Sequence, residues 1–308
     1  MGSTSCKCER ADVTDALEDC RRGGAPILES SLGVDFGPAD ASASSEDDDG
    51  GSEPPCEGQS RSVSQVDEFG DDVFKWAGLG MKENHMYSGP WRGSERHGEG
   101  VQLWSSGDRY EGQFARNLAH GLGRLTRANG DVYEGAWAND SAHGEGTFRR
   151  RDGTSYTGEW SNNCKEGAGF ERYKDGSTYD GDFRRNARTG RGRIVWPDGA
   201  TFEGEFAANV FNGQGSYWWP NGNNYVGQWR DSEMHGSGCF EYGDGRRFSG
   251  QYVRGVKEGY GVFEWPDGER YEGEWHGDRK HGEGCWQDAD GSTRTGRWRS
   301  GEWGDVDN

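Results

Sequence analysis

Apolar and polar positions along this chain follow a period of 23 residues. An aromatic residue recurs at Tyr87, Tyr110, Tyr133, Tyr156, Tyr179, Phe202, Tyr225, Phe248 and Tyr271. Counting that aromatic as position 0, glycine fills positions 2, 11, 13 and 20 in all nine units, and position 4 is always Trp, Phe or Tyr. A fixed period of this length marks an array of one supersecondary unit rather than an ordinary two-layer core. Positions 0, 2 and 4 share a parity, so in a strand two rings lie on one face with a bare glycine between them. Positions 11, 13, 15 and 17 share a parity too. They hold two glycines, a mostly apolar residue (Leu125, Phe148, Ile194, Tyr217, Phe240, Phe263, Trp286) and a mostly aromatic one. A helix would scatter both sets, so the pattern predicts two strands per unit.

The segments WPDG at 196–199 and 265–268, WPNG at 219–222 and YGDG at 242–245 have the chemistry of a tight hairpin turn with a positive-φ glycine. Each unit is therefore predicted to be a strand, a six-residue loop, a second strand and a tight turn. The fold class that follows is all-β, an elongated single-layer antiparallel meander. Nine units would give eighteen strands and, at ~4.8 Å per strand, a ribbon of roughly 85 Å contour. The glycines at positions 2, 11 and 13 are expected to let rings lie flat where any Cβ would collide.

Composition changes the picture at the N-terminal side. Residues 1–72 carry 18 acidic and 5 basic residues around the run SASSEDDDGGSEPP, which accounts for most of the chain's formal charge of −19. A segment this polar cannot bury enough apolar surface to offset ordering, and it is expected to be a disordered acidic tail. Within it, a short amphipathic helix over Asp12–Cys20 is conceivable, and Ser44 and Ser45 precede acidic residues as kinase sites do. Residues 73–86, containing VFKW, read as a degenerate half-repeat that covers the first sheet edge. Residues 87–293 are the nine units, and 294–308 a truncated tenth with the C-terminal end. The acidic balance argues against nucleic acid. The absence of a long apolar run argues for a cytoplasmic protein, and its seven cysteines are then expected to be reduced.

The phrase YEGEW–HGDRK–HGEG–CWQD–ADG at 271–291, with PDG in place of ADG at 197–199 and 266–268, resembles the MORN (membrane occupation and recognition nexus) repeat. The resemblance runs from Tyr87 to the truncated unit at Arg294, where Arg replaces the leading aromatic. It implies a non-enzymatic scaffold: the family supplies protein contacts in radial spokes and other ciliary or cytoskeletal assemblies, junctophilin-like membrane tethers, and accessory regions of phosphatidylinositol phosphate kinases and of one lysine methyltransferase class.

Candidate chemistry is sparse. Position 10 (His97, His120, His143, Glu166, Thr189, Asn212, His235, Glu258, His281) suggests metal or acid–base work, but equivalent residues would stand ~9.5 Å apart and are expected only to close loops by hydrogen bonding. Spacing likewise keeps Cys239 and Cys285 out of disulfide reach. No catalytic constellation, cofactor or metal site is expected. Positions 5–9 hold twelve Lys or Arg against five Asp or Glu, with a cluster at Arg184, Arg185 and Arg188 that could meet an acidic partner. Gly2 resembles an N-myristoylation signal, with Cys6 and Cys8 as potential palmitoylation sites. At the far end, Arg294, Trp298 and Trp303 are expected to leave an open edge with bare rings, which predicts a homodimer through the C-terminal repeats. Two functional readings stay open: a cytoskeletal or ciliary scaffold, and a membrane-peripheral adaptor for phosphoinositides or the kinases that make them.

Overall fold

A computed structural model describes residues 86–304 of the 308-residue chain. The expected tail (1–72), its Asp12–Cys20 helix, Ser44 and Ser45, the lipidation candidates Gly2, Cys6 and Cys8, and all but the last residue of the half-repeat at 73–86 lie outside the described residues. Those described are all-β, without a helix. They divide into two compact units, one built from residues up to 197 with 207–209, the other from 198–206 and 210 onward.

In the first unit, from Met86–Ser88 to Ala187–Val195, long strands pair antiparallel with their sequence neighbours. A separate small hairpin joins Trp91–Arg92 to Glu95–Arg96. The second unit repeats the meander from Thr201–Ala207 to the short terminal strand Glu302–Gly304. From the repeat starting at Tyr110 onward, a seven-residue strand alternates with a nine-residue one, as in Val132–Ala138 and Ser141–Arg149.

The six-residue loop is not there. Positions 6 and 7 form a two-residue turn with φ positive at both, for example Asn139 (50°) and Asp140 (65°), or Asn162 (47°) and Asn163 (67°). Two consecutive left-handed residues make the turn whose twist matches that of antiparallel strands, and Asn and Asp tolerate that conformation best after glycine. Position 7 also links units. The Asn163 side chain accepts the Ala142 backbone N–H at 2.7 Å, and the Asn163 N–H donates to the Ala142 carbonyl at 3.0 Å. Asn117, Asp140, Asn186 and Asn209 make the same pair of bonds to Arg96, Ala119, Lys165 and Arg188. The other turn behaves as its sequence predicts: Gly130, Gly153, Gly222 and their equivalents at position 20 have φ between 84° and 96°.

The core lies on the face that carries position 0. Tyr133 is 1 % exposed; its ring lies over Gly135 of its own strand and Gly146 of the paired strand, whose Cα atoms face each other. A Cβ at Gly146 would come within 2.3 Å of the Tyr133 hydroxyl oxygen. That hydroxyl donates to the Ala136 carbonyl at 2.9 Å, and the same bond recurs for Tyr110, Tyr156, Tyr179, Tyr225 and Tyr271. The ring meets Trp137 edge-on at 5.0 Å and Trp160 of the next repeat at 5.4 Å, and Tyr110, Tyr156, Phe202, Tyr225, Phe248 and Tyr271 are likewise held between two position 4 rings, an arrangement the aromatic quadrupole favours. Trp137, Trp160, Trp229 and Trp275 also donate their indole N–H to a position 13 glycine carbonyl of the preceding unit, at 3.0–3.2 Å.

Position 11 has a different cause from the one expected. The pairing skips from Gly135↔Gly146 to Trp137↔Ala142, a bulge, and Gly144 within it has φ 69° with only the Ala136 Cβ near, at 3.3 Å. Positions 2 and 13 need glycine for space, whereas position 11 needs it for a left-handed backbone.

Gly146→Ala is expected to destabilise the protein by about 3 kcal/mol, the upper end of ordinary overpacking, and Gly144→Ala by about 1–2 kcal/mol, the cost of one left-handed alanine. Urea unfolding of the two variants tests the order. Tyr252 stands at position 4, where five other complete repeats have an indole; it is 2 % exposed and its hydroxyl has no hydrogen-bond partner among the described residues. Tyr252→Phe should therefore raise stability by about 1 kcal/mol, by removing an unsatisfied buried group. A loss measured in the same experiment would show that the hydroxyl is satisfied.

Candidate functional site

Position 9, the second residue of each nine-residue strand, settles the character of the surface. The two-residue turn leaves it opposite position 4, on the ring face. Cations there reach back over the aromatic ladder. Arg96 lies over Phe114 at 5.1 Å, Lys165 over Tyr156 and Phe183 at 5.3 and 5.4 Å, and Arg188 over Tyr179 at 5.7 Å. Lys257 lies over Phe248 at 5.3 Å and Lys280 over Trp286 at 4.1 Å. Guanidinium and ammonium groups are attracted to ring faces, and their aliphatic stems cover apolar surface. Phe211 occupies the same position and stacks on Phe202 at 3.7 Å.

This separates the expected basic cluster. Arg184 ends its strand and is exposed. Arg185 is exposed in the turn, with φ 50°, and its N–H donates to Glu166 at 3.0 Å. Arg188 is half-buried against Tyr173 and Tyr179. Five of the twelve cations counted at positions 5–9 stand at position 9 and turn to the rings, so the turn edge keeps seven against five acidic residues and is nearly balanced.

Sequence reasoning also passed over a buried ion pair. Glu171 stands at position 15, otherwise mostly apolar, and is 2 % exposed; Lys165 at position 9 is 3 % exposed and bonds to it. The repeat that starts at Tyr87 has the same exchange: Gln102 at position 15 accepts from Arg96 at position 9. In both units a polar residue in the apolar column accompanies a cation six residues earlier, a signal readable from the alignment of the units alone.

In the position 10 column the two glutamates, Glu166 and Glu258, close turns, those of the next repeat rather than their own. Glu258 accepts from the Gly277 N–H at 3.1 Å and meets His276 Nδ1 at 2.8 Å. These bonds hold its carboxyl below the usual range. Among the described residues no group of three or more His, Cys, Asp or Glu is placed to hold a metal ion. Cys285 is a free buried thiol, whereas Cys164 and Cys239 are each in a disulfide, so among the array cysteines the expected reduced state holds for Cys285 alone. The compartment argument addresses an average redox state and does not reach individual thiols.

At the terminal edge Trp298 is not bare. It is 4 % exposed, edge-on to Tyr271 at 4.9 Å and to Trp303 at 4.5 Å. Trp303, at position 9 of the truncated unit, lies over Gly296, the place a leading aromatic would fill, and keeps 41 % of its surface exposed. Arg294, which replaces that aromatic, bonds to Asp288 at 2.8 Å and faces the Trp303 ring. Of the residues proposed as a dimer edge, Trp303 retains the open apolar surface.

The second unit carries one feature with no counterpart in the first. At positions 15 and 17 seven rings run in an unbroken line: Tyr217–Trp219 at 4.3 Å, Trp219–Phe240 at 5.3 Å, Phe240–Tyr242 at 4.6 Å, Tyr242–Phe263 at 5.9 Å, Phe263–Trp265 at 4.3 Å and Trp265–Trp286 at 5.0 Å. All but Phe263 are half-exposed. In the first unit Gln102, Arg127, Arg150 and Glu171 interrupt the same columns.

Removing the Glu171 carboxylate leaves a buried ammonium. Glu171→Ala is expected to cost about 3–5 kcal/mol, while Lys165→Met/Glu171→Leu should be near neutral or stabilising. A double-mutant cycle in urea tests this, and a double variant as unstable as the single one would contradict it.

No curated protein matches the sequence. Among solved structures, the wild-type TCP10 domain of Danio rerio CPAP matches with 15 % identity over 64 % of this chain and 93 % of that one, at a TM-score of 0.37. The SAS-4 (dCPAP) TCP domain of Drosophila melanogaster, in complex with a proline-rich motif of Ana2 (dSTIL), matches with 14 % identity over 58 % and 85 %, at 0.27. Scores this low carry nothing about function. The repeat itself is decisive: the MORN repeat model matches nine consecutive segments, 87–109, 110–132, 133–155, 156–178, 179–201, 202–224, 225–246, 248–270 and 271–293, and the chain belongs to the MORN repeat family.

Proposed function

We propose that the chain is a non-enzymatic scaffold that binds protein partners in a cytoskeletal or ciliary assembly, and that its contact surface is the seven-ring line between Tyr217 and Trp286. The observation that carries this reading is the line itself. The position 0 rings from Tyr110 onward are buried and consumed by the fold, whereas six of these seven keep open surface. Half-exposed aromatics supply large contact area at low entropy cost and are enriched in protein interfaces. The membrane-peripheral reading has less support, because the turn edge is nearly balanced in charge and Arg184 with Arg185 is the only adjacent pair among its seven exposed cations. Self-association through the open part of Trp303 belongs to the same proposal, as does a cytoplasmic location.

Proximity labelling in the native cell, with the wild-type chain and with Trp265→Ser/Trp286→Ser, tests the reading. Cytoskeletal or ciliary neighbours should be labelled by the wild type and lost from the variant. An unchanged set of neighbours removes the ring line from the argument. Flotation of the wild-type chain with anionic vesicles at physiological salt, abolished by Arg184→Glu/Arg185→Glu, would replace the scaffold with the adaptor.

A further inference from the structure

We propose that the ring line of the second unit is a docking track for a proline-rich segment in the polyproline II conformation, with an acidic residue at the Lys280 end. The inference rests on the reading of that line as a protein-contact surface and names the partner's chemistry.

Spacing is the first argument. Equivalent rings such as Phe240, Phe263 and Trp286 are one repeat apart. One repeat is two strands, which advances ~9.5 Å. A polyproline II helix advances ~9.3 Å per three-residue turn. Prolines at every third residue would thus meet successive repeats in register, where an α-helix, with a pitch of ~5.4 Å, would not. The paired rings at positions 15 and 17, 4.3–4.6 Å apart within a repeat, make a step at each period on which a pyrrolidine ring can sit.

Charge is the second argument. Cations flank the line: Lys257 lies within 6 Å of Tyr242 and Phe263, and Lys280 lies 4.9 Å from the Trp265 centroid and 4.1 Å from that of Trp286. Lys257 is satisfied, since it donates to the Tyr242 hydroxyl at 3.0 Å and pairs with Asp278 at 3.7 Å. Lys280 has no carboxylate within ion-pair distance among the described residues. Burial pushes its ammonium down to about 8, with Glu269 opposing. A carboxylate from a partner would supply what the fold leaves out. In the first unit Arg127 and Arg150 stand where the track needs rings, so the proposal is confined to the second.

The probes are three synthetic peptides titrated into the full-length chain, with tryptophan fluorescence and NMR as readouts. They are a capped proline nonamer, the same nonamer ending in Glu-Glu, and an amphipathic helical peptide of equal length. Nine residues of polyproline II span ~28 Å, about three repeats. The nonamer should bind saturably to the wild type and at least tenfold more weakly to Trp265→Ala. The acidic ending should tighten binding about two- to fivefold, and in Lys280→Gln the two nonamers should bind with equal affinity. Lys280→Gln also guards against a Trp265→Ala chain that fails to fold. Saturable, Trp265-dependent binding of the helical peptide alone would overturn the polyproline inference and keep the line as a protein-contact surface. No saturable binding of any peptide up to millimolar concentration would remove both.

Discussion

The whole structure depends on one close approach: a tyrosine or phenylalanine ring lying flat over two facing glycines on adjacent strands. A single-layer sheet has no second layer to bury its apolar face, so something within the layer must do it. With no Cβ at positions 2 and 13, the ring drops onto the backbone and is closed in by rings of its own and the next unit. Tyr156, Tyr179 and Tyr225 thereby reach 0 % exposure in a sheet one strand thick. The tyrosine hydroxyl could not be buried this deeply without a partner, and the carbonyl at position 3 supplies one. Burial raises the phenols of Tyr156, Tyr133 and Tyr225 far above their ordinary range, with nearby carboxylates adding to it at Tyr156 and Tyr133.

The other glycine roles and the turns follow from that approach. Setting a ring over a glycine pair requires the strands to stay in register there, while the strand ends must join in two residues. The bulge at position 11 absorbs the mismatch, and it leaves the backbone N–H at position 12 without a ladder partner. Side chains at position 3 take it up: Gln228 accepts from Ser237 at 3.0 Å and Asp182 from Arg191 at 3.1 Å. The Asn and Asp residues of the turns then do two things at once. They adopt the left-handed backbone the turn needs, and they hold the preceding unit through a side-chain and a backbone bond. Nearest-neighbour contacts of this kind are how a repeat array gains stability without long-range packing.

The period, the ring face and the position 20 turn could all be read in the sequence, because each imposes a residue type that nothing else in the chain competes for. The two-residue turn was hidden, since Asn139–Asp140 or Asn162–Asn163 has the polarity of an ordinary loop and only the backbone dihedrals distinguish the two. That one error displaced position 9 from strand to loop, and with it the cations: Arg188 joined Arg184 and Arg185 as a surface cluster when its guanidinium lies against Tyr179. Glu171 escaped notice for a related reason. Its column was described by its majority, yet the exception, with Lys165 six residues earlier, holds the only ion pair in the described residues whose two partners are both nearly fully buried. The open surface of Trp303 and the burial of Trp298 were likewise not separable by sequence, because the truncated unit gives no sign that its last strand folds back over Gly296.

Equivalence between units also limits what such a chain can do. Side chains in one column stand a repeat apart, too far to share a proton, a metal or a nucleophile, so a column cannot become an active site by substitution. It can become a track. A partner that is itself periodic meets the same contact at each step, and specificity then depends on which columns are uninterrupted. Between Tyr217 and Trp286 two adjacent columns carry rings without a break, while the same columns between Gln102 and Glu171 carry amide, guanidinium and carboxylate groups. The backbone scaffold is the same in both units, so what differs between them is the surface they present, and that difference is written in two positions out of twenty-three.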